Sequence, residues 1–128
     1  MDTNVTNFNA TERKVLDWII GDQADGEAIR AQLATARQVS RRNTGADFYT
    51  TFQVVPDPNH RLARTQLVGD AWARVPGLIR GMTFLLWANQ DGFLFALEGA
   101  GLGEDISSVN FDTVQLERRR APTGCLTS

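Results

Sequence analysis

With one cysteine and one histidine in 128 residues, the chain can neither close an internal disulfide nor assemble a zinc site of Cys/His type. Cys125 lies beyond Arg118-Arg119-Arg120 and Pro122 near the C-terminus, and His60 follows the turn Pro56-Asp57-Pro58-Asn59. A tail thiol and a surface histidine are expected, not a catalytic dyad. Long apolar runs are missing too: none approaches the ~20 residues of a membrane span. Lysine is nearly absent, Lys14 against twelve arginines, a bias that a GC-rich bacterial genome accounts for. The formal net charge of −2 lacks the dense basic surface that direct nucleic-acid binding requires. Residues 1–10 have neither a basic start nor an apolar core, so no secretory signal is expected, the cytoplasm is the expected compartment, and the sequons at Asn4 and Asn9 are irrelevant. There is no internal repeat.

What is present centres on Gly81–Gly99, two apolar runs joined at Asn89-Gln90-Asp91-Gly92. Asn at the first position and Gly at the last are what a four-residue type I turn requires, so this segment predicts a β-hairpin. Both of its faces are apolar. Met82, Phe84 and Leu86 alternate with Leu85 and Trp87, and after the turn Phe93, Phe95 and Leu97 alternate with Leu94 and Ala96. A sheet with one wet face would carry polar residues at every second position, so helices, a long loop or a partner chain must cover the second side.

Upstream, Asn9 with Glu12 three residues on is a capping box, opening a helix to Ile20 with Val15, Leu16, Trp18, Ile19 and Ile20 on its apolar stripe and Gly21 as its stop. Asp25 opens a second helix over Glu27–Ala36, with Ile29 and Leu33 on one face. From Gln38 the period falls to two. Strands are expected at Gln38–Arg42, Asp47–Val55, Thr65–Val75 with a bulge near Gly69, and Asp112–Arg118. The expected fold is α+β: two N-terminal helices packed on one face of a mainly antiparallel sheet of about five or six strands. Residues 9–118 form the single domain, between a disordered N-terminal tail (1–8) and a C-terminal tail (119–128). Phe84, Leu86, Phe93, Phe95 and Leu97 are expected to build the core against Val15, Leu16, Ile19, Ile29 and Leu33.

Chemistry-bearing motifs are few. The loop Gly99-Ala-Gly-Leu-Gly103 has a phosphate-loop look, but Glu104 and Asp105 follow it and would repel phosphate. Glu98 closes an apolar strand and, with Asp70 or Glu104, is the candidate acid-base pair of a small enzyme or ligand-binding domain. Structural or partner-binding roles for these carboxylates outrank that reading. The tail Cys125-Leu-Thr-Ser128 behind three arginines outlines a prenylation signal, imperfectly because Thr127 replaces an aliphatic residue; a polar tail is the plainer reading. No catalytic residue, metal or cofactor is expected.

The segment Asp91-Gly-Phe-Leu-Phe-Ala-Leu-Glu-Gly99 resembles a feature of small uncharacterised bacterial proteins in which two helices precede a meander and an apolar strand, a turn ending Asp-Gly and a strand ending Leu-Glu follow. In pattern the likeness spans Thr11 to Leu116, and many such proteins are similar to immunity proteins of polymorphic toxin systems. The resemblance implies a non-enzymatic protein-binding inhibitor; the hairpin's spare apolar face, with Leu85, Trp87, Leu94 and Glu98, and the acids Glu104 and Asp105 beside it give the expected partner-binding residues. The expected partner is a toxin, a bacterial defence enzyme if the gene is phage-borne, or a second copy of the chain.

Overall fold

The structure, a computed structural model, describes residues 7–120. Two helices, α1 (Ala10–Gly21) and α2 (Gly26–Leu33), precede six strands: β1 (Arg37–Asn43), β2 (Asp47–Gln53), β3 (Gln66–Arg74), β4 (Met82–Ala88), β5 (Leu94–Ala100) and β6 (Glu117–Arg119). The strands form one antiparallel sheet in the order β1-β2-β5-β4-β3-β6. This is the expected α+β architecture, with both helices at the N-terminal end of the chain.

The capping box at α1 forms as its residue types dictate. Asn9 Oδ1 accepts the Glu12 amide at 2.8 Å, and Glu12 Oε1 accepts the Asn9 amide at 2.8 Å. The second helix differs from expectation. It ends at Leu33, and Asp25 makes no side-chain cap bond because its carboxylate is taken by Arg64. The hairpin turn closes as its residues require: Gly92 N–H donates to Asn89 O at 3.0 Å, with Gly92 at φ +85°.

One side of the sheet is closed. Val15, Leu16, Ile19 and Ile20 of α1 and Ile29 and Leu33 of α2 join Val68, Ala71, Ala73, Met82, Phe84, Leu86 and Leu97 in a continuous core. Beyond the helices the same side is covered by the 101–116 loop, whose Ile106, Phe111 and Leu116 are buried; Phe111 stacks on Phe48 at 4.3 Å. Phe8, expected in the N-terminal tail, is only 2% exposed and meets Phe52 edge-on at 5.2 Å, so the fold reaches back past Asn9. The last strand is shorter than the expected Asp112–Arg118, because Phe111–Thr113 turn and only Glu117–Arg119 pair with β3. The remaining tail residues, Cys125 and its prenylation-like context among them, lie outside the described residues.

Phe95 is not in the core. The register steps between Trp87 and Ala88, so that Trp87 faces Ala96 while Ala88 faces Leu94. This bulge at Phe95 consumes one residue and reverses the alternation before it. Leu94 therefore falls on the helix side, 1% exposed, and Phe95 is left 42% exposed. The bulge in β3, between Leu67 and Gly69, similarly turns Val68 inward and leaves Leu67 exposed, although Leu67 reads as a companion of Ala71 in sequence. Leu94→Ala is expected to cost about 2–5 kcal/mol and Phe95→Ala less than about 1 kcal/mol in urea unfolding. Equal costs would place the bulge elsewhere.

Candidate functional site

The other side of the sheet has no helix or loop laid over it among the described residues. Alternation from the buried positions, together with the register, sets its side chains in rows across the strands. Arg42, Tyr49, Glu98, Leu85 and Asp70 form one row. Thr51, Ala96, Trp87 and Leu67 form the next, and Ala100, Thr83, Trp72 and Arg119 the third. Tyr49, Trp72, Leu85, Trp87 and Glu98 are half-buried, and they shield the small residues Ala96 and Thr83 between them. An aromatic surface results, with one acid on its central strand.

That acid is Glu98. Trp87 Nε1–H donates to its Oε1 at 3.0 Å, across the β4–β5 pair. Tyr49 stands directly opposite on β2 and donates its hydroxyl to Asp47 Oδ2 at 3.3 Å. Burial, then the Glu98 and Asp47 carboxylates, push the Tyr49 phenol above its ordinary range, so it stays a protonated donor at neutral pH. Among the described residues Glu98 has no cationic partner within ion-pair distance.

Of the partner-binding residues expected from sequence, Leu85, Trp87 and Glu98 share this face. Leu94 does not: the Phe95 bulge turns it into the core, where its amide donates to Gln32 Oε1 at 2.8 Å. Glu104 and Asp105 sit in the loop after β5 and have local duties. Glu104 accepts the amides of Ile79 and Arg80 at 2.8 and 2.6 Å, which hold its carboxyl below the usual glutamate range, and Asp105 is held low by Ser107. Tyr49 and Trp72 were missed. The alternation in their strands was visible, but their place beside Glu98 and Thr83 depends on a strand order that no local pattern encodes.

The carboxylates of the enzymatic alternative are not gathered in one cavity. Glu98 and Asp70 share a row with Leu85 between them, which sets their Cα atoms roughly 10 Å apart. Of two grooves in the molecule, neither is lined by Glu98. One, about 670 Å³, runs between the helices past Phe8, Leu16, Ile20 and Leu33. The other, about 570 Å³, lies at the β6 edge past Asp70, Trp72 and Arg118–Arg120. Among the described residues no group of three or more His, Cys, Asp or Glu is placed to hold a metal ion. In the glycine loop the Gly101 amide is occupied by Ala46 O at 3.0 Å, and Gly99 packs against Met82 and Phe84. No helix is long and apolar enough to cross a membrane among the described residues. No family model, curated protein or solved structure matches this chain.

Proposed function

We propose that this protein is a non-enzymatic, cytoplasmic protein-binding inhibitor of the immunity type, and that it docks its target on the open face of the sheet. The observation that carries the docking is the pair Trp87 and Leu85, half-buried by their neighbours on a face with no covering element among the described residues, beside the exposed Leu67. Large aromatic side chains amid apolar neighbours concentrate binding energy at interfaces, and Trp87, Tyr49 and Trp72 are such anchors. The class of target rests on the sequence resemblance: a toxin, with a phage-borne inhibitor of a defence enzyme using the same face as the alternative. The acidic balance of the chain suits a basic, nuclease-like target.

Growth rescue on co-expression with the product of the neighbouring reading frame tests this reading. The wild-type chain is expected to restore growth. Thr51→Arg, at an exposed position in the Trp87 row, and Trp87→Asp are expected to lose rescue while both proteins keep a cooperative melt. Sizing chromatography of the same variants covers the case of a second copy as occupant: a wild-type dimer that both substitutions dissolve would put the chain's own twin on the face. Full rescue by both variants, with a monomeric wild type, would leave the face without a docking role.

A further inference from the structure

We propose that the open face carries a seat for one cationic side chain, an arginine or lysine of the docked polypeptide, with Glu98 as its counter-charge and the Trp87 and Tyr49 rings as its walls. This rests on the docking reading above and names the chemistry the partner must bring. Glu98 lies on β5, flanked by β4 on one side and β2 on the other, so any partner that covers the Trp87 and Leu85 surface covers Glu98 as well. The indole N–H of Trp87 binds its Oε1 and the Tyr49 hydroxyl stands beside it, both neutral donors, and no cation of this chain stands within ion-pair distance among the described residues. Arg42, next in the row beyond Tyr49, is exposed and makes no ion pair among the described residues.

A carboxylate sealed under a protein partner loses hydration that one indole N–H restores only in part, so docking is most favourable when the partner supplies a counter-charge. The walls fit a cation. A guanidinium or ammonium within ~6 Å of an aromatic ring gains from the ring's negative face, and a guanidinium also stacks flat and donates to both carboxylate oxygens. Trp87 supplies one ring, fixed by its own bond to Glu98, and Tyr49 supplies the other from the facing strand.

The probe is N-acetyl-arginine methylamide, set against its uncharged isostere N-acetyl-citrulline methylamide. Both are titrated into the full chain while the three indole N–H resonances are followed by NMR. The arginine probe is expected to move the Trp87 indole saturably, with half-saturation about tenfold or more below that of citrulline. Trp18, on α1, provides the internal reference. Glu98→Gln, which keeps an oxygen for the Trp87 indole, is expected to abolish the preference between the probes. Equal half-saturation in the wild type, or an arginine preference that survives Glu98→Gln, overturns the proposal. The two readings fail separately. Lost rescue by Thr51→Arg with no arginine preference removes only the cation seat, whereas retained rescue removes the docking face and this proposal with it.

Discussion

Glu12→Ala is expected to lower the stability of the fold by about 3–5 kcal/mol, read as a fall in the urea midpoint at an unchanged slope. The side chain is almost wholly buried, yet each of its bonds is made: Oε1 accepts the Asn9 amide at 2.8 Å, Arg41 approaches through Nη2 at 2.7 Å and Nε at 2.8 Å, and Thr50 Oγ1 donates at 2.6 Å. One carboxylate thus ties the first turn of α1 to an edge strand and to an interior strand. Truncation removes the Glu12 half of the capping box, leaving the Asn9 half in place, and leaves a guanidinium over a cavity. Since the Arg41 side chain is 33% exposed, water recovers part of its charge, and the low end of the range is expected. Glu12→Leu combined with Arg41→Leu, which leaves neither charge unpaired, is expected to recover more than half of the loss. Glu27→Ala, at an exposed position in the first turn of α2, is the reference. A Glu12→Ala midpoint no lower than that reference would show the pair to be loose in solution.

The second large effect is at the hairpin turn. Gly92→Ala is expected to cost about 3 kcal/mol or more, and to slow refolding if the turn forms early. Gly92 has φ +85°, and a Cβ there would stand 2.3 Å from Leu62 O and 2.9 Å from Arg61 Cγ. Strain from the left-handed backbone is about 1–2 kcal/mol, and a clash against backbone cannot be relieved by a rotamer change. Shifting the turn to make room pulls on two partners of its carbonyl. Gly92 O accepts from Leu62 N and from Gln32 Nε2, both at 3.0 Å, and Gln32 also holds Leu94 N and His60 O. Asn89→Ala is a milder comparison, since the Asn89 side chain accepts the Asp91 and Phe93 amides without touching α2. A Gly92→Ala midpoint close to the wild type would mean that the Leu62 segment does not rest on the turn.

What could be read in advance was whatever local chemistry decides. Asn9 and Glu12 form the box their spacing implies, Asn89 and Gly92 form the turn, and Gly69 marks a bulge because only glycine leaves room beside Ile19 and Gln23. The bulge at Phe95 carries no glycine or proline, so the apolar alternation runs through it unbroken and assigns Leu94 and Phe95 to the wrong sides. Gln32 looks like any polar helix residue. Its worth comes from His60 O, Gly92 O and Leu94 N, distant groups that it meets only after α2 has packed on the hairpin turn. The open face was legible through Trp87 and Leu85, because a hairpin apolar on both sides signals cover on both sides. The seat around Glu98 was half legible: the acid stood out, but Tyr49 joins it only because β2 pairs with β5 across the intervening β3 and β4 segments.

A sheet closed on one side and bare on the other divides its residues by what natural selection can do with them. On the helix side a lost methylene leaves a void, and change there is costly. Tyr49, Leu85 and Trp87 are half-buried and Thr51 and Leu67 exposed, over no covering element among the described residues, so Thr51 and Leu67 can be replaced at little cost to the fold. A target docked on this face, as proposed above, could be followed one exposed residue at a time, with the scaffold left intact.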